Sequence, residues 1–461
     1  MRNLLARVLC VGLAAGMLLA SAGCGDTSSS GSPASGDVSK AENTSMNLGG
    51  KTMKVAVWYE PEKPSLGNSD SEDAWYYSLK NAEESYNCKV EWVIDTQDAH
   101  FSKFVQSSLS GEVYADILMC HSWNYVSLIK QNLLVPTTEL IKSASDAERW
   151  NQTSYVLNGE NWGIMPKSQN YTPINTFLIN TKLLNALKLE NPQGLARSGQ
   201  WTWDKFREYC RAATDPAKEQ YGVGCFMLAS TLKVTNNFSI ATQDSASGKY
   251  YNGFTYGDNK DRGMELLEFL RVMSLEDKSV LGAWDAGQEA LDETLNAFKD
   301  GKLLFAYIPS PSSLKKSGFE DYSVVTPPLG PSNNGLADII DAFAFWSLPS
   351  NSDFTAEQRA AFWMEAKRTW DPADTQGYYE ESEDSVKEEM LDKSYITMED
   401  VEFLLAMGKN MSLLPGVSLN TGSLIADNIF GAVMRGDSTP AAVVSSTDGE
   451  LQAIIDATYN N

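Results

Sequence analysis

The chain has 461 residues, with 37 Lys and Arg against 60 Asp and Glu, a formal charge of -23. That charge argues against nucleic acid and anionic membrane surfaces as general partners, because both attract cationic proteins, and 43% hydrophobic with 10% aromatic residues argues against disorder throughout. Only two histidines, His100 and His121, are present, so a His-rich metal centre or a multi-His enzyme is excluded by counting, while at roughly 150 residues per domain the length allows two to three domains.

Arg2 and Arg7 precede an apolar run from Val8 to Ala22. That run is shorter than the roughly 20 residues a spanning helix needs and ends in small residues, so residues 1–23 read as a secretory signal. Leu19-Ala20-Ser21-Ala22-Gly23-Cys24 resembles a bacterial lipobox, with Ser21 where such motifs usually carry Leu. The resemblance implies diacylation of Cys24 and a body held on the extracytoplasmic side of the cell membrane. Residues 24–50 then read as a lipidated Cys and a flexible Ser/Gly leash. Asp26 to Gly50 hold seven Ser, four Gly and no aromatic residue, a composition that behaves as a coil of about 25–30 Å. Loss of residues 1–23 removes two cations and no acid, which takes the charge from -23 to -25. Cys88, Cys120, Cys210 and Cys225 sit in apolar contexts without C-x-x-C spacing, and are expected to be free and buried.

Met53, Val55 and Val57 alternate as in a strand, and Trp75, Leu79, Ala82 and Tyr86 recur at helical spacing. Val90, Trp92 and Ile94 alternate again. Phe101, Phe104, Val105 and Leu109 form a second helical stripe closed by Gly111, and Ala115 to Cys120 is a short apolar strand. Strand, helix, strand, helix, strand at these lengths predicts an open parallel α/β sheet. A second unit begins with a strand at Ile174 to Asn180 and a helix at Thr181 to Leu189. Thr202 is a predicted N-cap for a helix whose buried face is Phe206, Tyr209, Cys210 and Ala213. Leu291, Leu295 and Phe298 predict a helix ending at Gly301, followed by a strand at Leu303 to Ile308. Thr355 and Gln358 form a capping-box pattern ahead of a helix with Phe362, Trp363 and Trp370. Glu380 to Glu402 carries ten acids against Lys387 and Lys393 and reads as a solvated helical face.

These pieces, in this order, resemble the extracellular solute-binding proteins of ABC importers, in particular the group that includes maltose-binding protein. The resemblance runs over most of the chain after residue 50. It is carried by the lipobox and leash, by MKVAVWYEP from Met53, by Ser108 to Cys120 and by Leu133 to Leu140. Asn175 to Leu195 leading into WTWDKFREYC, FKDGKLLFAYIP from Phe298, and Ile429 to Ile455 with Gly436-Asp437-Ser438-Thr439-Pro440 at its turn complete the set. The family fold is α/β, the two-lobed type II periplasmic-binding-protein fold, with discontinuous lobes joined by hinge crossovers. The resemblance implies crossings near Met165 to Tyr171 and Asp338 to Trp346. It assigns 51–167 plus about 340–385 to an N-terminal lobe and 168–339 plus about 386–461 to a C-terminal lobe. It further implies a monomer without cofactor or metal that captures a small-molecule solute, an oligosaccharide above all, and passes it to permease subunits.

Sugars alternate C–H patches with hydroxyls, which call for aromatic faces beside Asp, Asn and Gln. Loops at the C-terminal ends of parallel strands line the crevice of such sheets. After the first strand come Trp58, Tyr59 and Glu60, where Trp58 is either a cleft contact or part of the lobe core. After the third strand come His121, Trp123 and Asn124, with Trp123 the expected stacking platform and His121 a hydrogen-bonding neighbour. By resemblance, Gln169 and Tyr171, with Lys167 beside them, lie at the first crossing. Tyr307 and Ser310 end a strand of the other lobe. Pro309-Ser310-Pro311 stands there in place of the family's aromatic stacker, for which Trp284 is a candidate substitute. Asp338 and Asp341 lie at the second crossing, as sugar ligands or as helix caps and hinge residues.

No G-x-S-x-G, H-E-x-x-H or Walker loop is present, and Gly222 and Gly224 lack the third glycine of a dinucleotide fingerprint. Glu289, Asp292 and Glu293 share one helical face, whereas a glycosidase needs carboxylates from different elements across a cleft. The chain is therefore not expected to be an enzyme. A secreted carbohydrate-active hydrolase, or a binding lipoprotein or adhesin independent of a transporter, are the alternatives.

Overall fold

The computed structural model describes residues 46–58, 63–67, 70–150, 156–157, 159–166, 176–283, 287–308, 311–333, 344–368, 387–388, 390–392, 394–408, 419 and 424–460. The first sheet is built from β1 (Thr52–Val57), β2 (Lys89–Ile94), β3 (Ile117–His121), β4 (Leu134–Val135) and a late strand, Ala344–Pro349. Its order is β2, β1, β3, Ala344–Pro349, β4. β1 pairs parallel with β2 and β3, with Val55 opposite Ile117. The late strand lies antiparallel between β3 and β4. Helices α1 (Asp70–Ser85), α2 (Gln97–Ser110) and α3 (Ser122–Lys130) alternate with these strands. The first three strands and two helices thus follow the sequence expectation. Residues Ile117 to Cys120 are buried on both faces of the sheet, which is why that segment is apolar without alternation.

Local chemistry accounts for the helix ends. The Thr96 hydroxyl accepts from the Ala99 amide, and Gly111 closes α2 at φ 80°, in the left-handed region. Thr355 and Gln358 form a complete capping box at helix Ala356–Lys367. One position of the α2 stripe departs from expectation: Leu109 is 70% exposed, in the last turn before Gly111. Leu48, at the end of the stretch read as leash, is buried in the first core, and its amide donates to the Tyr86 carbonyl.

Between the two sheets, Val156–Leu157 and Glu160–Asn161 form a small hairpin, β5 and β6. The second sheet contains β7 (Phe177–Asn180), β8 (Tyr221–Gly224), and strands Val280–Leu281, Leu303–Tyr307 and Tyr322–Val325. Its order is Val280–Leu281, β8, Leu303–Tyr307, β7, Tyr322–Val325. The two strands flanking β8 run parallel to it, and β7 is antiparallel to both its neighbours. The Thr202 hydroxyl caps helix Trp203–Ala213, whose Phe206, Tyr209, Cys210 and Ala213 are buried as the spacing predicts. A Cβ on Gly222 would come within 2.3 Å of Cys210 Cβ, and one on Gly224 within 2.6 Å of Thr294. These two glycines let helices approach β8 closely; they do not cradle a phosphate. The helix after β7 is shorter than its pattern suggests, ending at Ala186 with Lys188 at φ 56°.

Each sheet has its own hydrophobic core. One gathers buried residues from 48–165 and 345–366, the other from 177–325 and 395–455. The two cores therefore define two lobes, and the first is discontinuous because the chain returns to it at Ala344. Ile164 bridges to Trp346, its amide donating to the Trp346 carbonyl at 2.7 Å, so the outgoing and returning segments lie side by side. The crossings near 167–171 and 338–343 lie outside the described residues. Among the described residues, Cys88, Cys120, Cys210 and Cys225 are buried and form no disulfide. The acid-rich stretch is not uniformly solvated. Asp400 is buried and accepts from Gln193 Nε2 at 2.8 Å, Ser323 Oγ at 2.6 Å and Thr397 Oγ1 at 2.7 Å. It ties helix Met398–Gly408 to strand Tyr322–Val325. No helix of the described residues is long and apolar enough to cross a membrane.

Candidate functional site

Parallel pairing of β1 with β3 brings their C-terminal ends together. Trp58 directly follows β1, and His121 is the last residue of β3 and the N-cap of α3. Their rings meet at 5.8 Å between centroids, tilted by 34°. Asn124, in the first turn of α3, shares their surroundings. All three are half-buried, and together they form a rim that combines two aromatic rings with an amide. Beneath the rim is a narrow apolar recess floored by Phe101, Phe104, Leu118 and His100. It has room for about one water molecule, so a solute would rest on the rim and not enter the recess. No charged side chain lines it among the described residues.

His100 was flagged in the sequence only by its rarity, yet it lies at this site. It projects from the first turn of α2, and its ring meets Trp58 edge-to-face at 5.5 Å and 74°. Nε2 lies 2.8 Å from the Met119 carbonyl, which can only accept, so Nε2 carries the proton. Nδ1 faces the Tyr114 hydroxyl at 3.4 Å, and that hydroxyl donates to Asp95 Oδ2 at 3.0 Å. Asp95 is also paired with Lys103, which holds its carboxyl below the usual range. Burial lowers the pKa of His100, partly offset by the Met119 bond and the Asp95 charge. Burial pushes His121 down to about 4. Both imidazoles are neutral at physiological pH, and among the described residues the rim is an uncharged aromatic–amide surface.

The remaining sequence candidates are placed as follows. Trp123 falls in the first turn of α3, and its side chain lies outside the described residues, as do Tyr59, Glu60, Lys167, Gln169, Tyr171, Trp284, Ser310, Asp338 and Asp341. Tyr307 ends its strand in the other lobe, where its buried ring lies 5.9 Å from Phe226 and burial raises its phenol pKa. Glu289, Asp292 and Glu293 are exposed along helix Gln288–Lys299, as a solvated face should be. No group of three or more His, Cys, Asp and Glu able to hold a metal ion occurs among the described residues.

The family described as bacterial extracellular solute-binding protein matches residues 68–347. No curated protein matches the chain. Among solved structures, the chain is similar to the ABC substrate-binding protein Lmo0181 from Listeria monocytogenes in complex with cycloalternan. The identity is 15% and the TM-score 0.56, covering 89% of this chain and 99% of that one. A sugar transporter from Rhizobium etli in an open conformation is similar at 14% identity and TM-score 0.58, covering 88% and 99%. The maltose/maltodextrin-binding domain MalE from Bdellovibrio bacteriovorus bound to maltotriose is similar at 12% identity and TM-score 0.54, covering 89% and 100%. At these identities the likeness is one of fold: two α/β lobes of the type II periplasmic-binding class.

Proposed function

Because the chain belongs to the bacterial extracellular solute-binding protein family, we propose that it captures a neutral oligosaccharide between its lobes and delivers it to the permease of an ABC importer. Hinge closure is the working motion: the sugar binds the closed form better and shifts the equilibrium toward it. The observation that carries this reading is the uncharged rim of Trp58, His121 and Asn124 at the ends of β1 and β3. Aromatic faces suit the C–H patches of a sugar and an amide suits its hydroxyls. The sugars bound by the Listeria and Bdellovibrio proteins support the same class.

In this reading Trp123 extends the rim, and Tyr59, Glu60, Gln169 and Tyr171 add contacts from the first lobe and its crossing. Trp284, Ser310, Asp338 and Asp341 face them from the second lobe and the return crossing, with Tyr307, buried against Phe226, behind them. The lobes comprise 51–167 with about 340–385, and 168–339 with about 386–461. The protein works as a monomer that turns nothing over, held to the outer face of the membrane by lipid on Cys24.

A thermal-shift screen over oligosaccharides, peptides and polyamines tests the substrate class. A ligand that binds only the folded state raises the midpoint in proportion to ln(1 + [L]/Kd). A sugar should raise it. A peptide that does so while no sugar does overturns the carbohydrate reading, and release of shorter products from a glycan overturns the binding-protein reading. Cys24→Ala should move the protein from the membrane fraction to the soluble fraction.

A further inference from the structure

We propose that His100 is a positioning residue, which sets the orientation of the Trp58 indole on which the sugar rests. The inference builds on the proposed carbohydrate site but stands on separate geometry.

Trp58 is the first residue past β1, where the sheet no longer holds its backbone on both sides. Among the described residues, the rings that meet it are the chain's two imidazoles, beside its apolar packing on the first core. His121 lies beside it on the rim, and His100 supports it edge-to-face from the buried side at 5.5 Å and 74°. An edge-to-face contact orients an indole only if the supporting ring is itself immobile. His100 satisfies that condition through Nε2. Nε2 is bonded to the carbonyl of Met119 in β3, and Nδ1 abuts the Tyr114 hydroxyl, which Asp95 and Lys103 hold in turn. The support is thus anchored to the same strand that ends in His121. A Phe in place of His100 would keep a ring but lose the bond to Met119, and a Gln would keep a donor for Met119 but lose the ring.

The test is 19F NMR on protein labelled with 5-fluorotryptophan, with the Trp58 resonance assigned by its loss in Trp58→Phe. In His100→Gln the Trp58 resonance should shift or broaden, while the resonances of Trp201 and Trp203 in the other lobe stay in place. Sugar affinity, measured with an oligosaccharide identified by thermal shift, should fall about three- to tenfold, the scale of one lost aromatic contact. His100→Phe, which fills the same space, should show the same spectral change and so separates loss of orientation from loss of volume. An unchanged Trp58 resonance in both variants overturns the proposal whatever the ligand. A changed resonance with unchanged sugar affinity also overturns it. If wild-type protein binds no sugar, the carbohydrate reading fails, and the fluorine spectrum alone decides whether His100 orients Trp58.

Discussion

The ammonium of Lys367 lies 3.1 Å from the centroid of the Trp75 ring. Trp346 and Trp363 stand 5.0 and 5.3 Å from the same cation, and their own rings are 4.5 Å apart. Lys367 is almost wholly buried at the end of helix Ala356–Lys367, so three indoles replace much of the water its charge gives up. The cage joins α1, the returning strand and that helix, which is where the discontinuous part of the first lobe is bound to the rest. Trp75→Leu removes both indole volume and the nearest aromatic face. Stability should fall by about 2–4 kcal/mol, read from urea unfolding.

Asp400 supplies the corresponding polar tie in the second lobe. Its carboxylate takes three short hydrogen bonds from Gln193, Ser323 and Thr397 in a buried setting. Asp400→Ala leaves those donors without their acceptor and should cost about 2–4 kcal/mol. Equal stability of variant and wild type in denaturant would show that water replaces the carboxylate freely.

The buried imidazole of His121 makes stability depend on pH. Its pKa falls from 6.5 to about 4 on folding, so between those values the unfolded chain binds more protons than the native one. Unfolding free energy therefore rises with pH through that window; the contribution is complete above 6.5 and is lost as pH falls toward 4. At 1.36 kcal/mol per unit the difference is at most about 3–4 kcal/mol. His100, shifted in the same direction, adds to it. Melting points measured between pH 4 and 7 should climb more steeply for wild type than for His121→Asn.

The C-terminal turn carries a different kind of contact. Tyr459 stacks on Tyr250 at 4.2 Å and 19°, and Asn460 exchanges two hydrogen bonds with the Tyr250 backbone. The carbonyl of Ala457 accepts from Lys130, at the end of the helix that begins on the rim. Tyr459→Ala should speed amide exchange at Tyr250 and across 456–460, with a loss of about 1 kcal/mol in global stability. Unchanged exchange there would mean the hydrogen bonds alone hold the turn.

Much of both lobes was legible in the chain because the devices concerned are local. Alternation in β1, the Gly111 stop and the Thr202 and Thr355 caps each act within a few residues. The rim was legible in part for the same reason: strand ends of a parallel sheet converge, so Trp58, His121 and Asn124 could be named from their positions. His100 could not. It reaches the rim from the first turn of α2, through a hydrogen bond to Met119 that no periodicity encodes. The burial of Asp400 is not legible either, because charge composition says nothing about a partner 207 residues away.

By itself the sequence determined the class of fold, the order of the first strands and helices, and the helix signals at Gly111, Thr202 and Thr355. All of these follow from propensity and spacing over short stretches. Tertiary structure alone decided that residues 344–349 slot antiparallel between β3 and β4, that one lysine enters a cage of three tryptophans, and that both histidines of the chain meet at one indole. Those outcomes depend on which long-range packing buries the most apolar surface while leaving each buried polar group a partner. That balance is struck only when segments far apart in the chain are brought together.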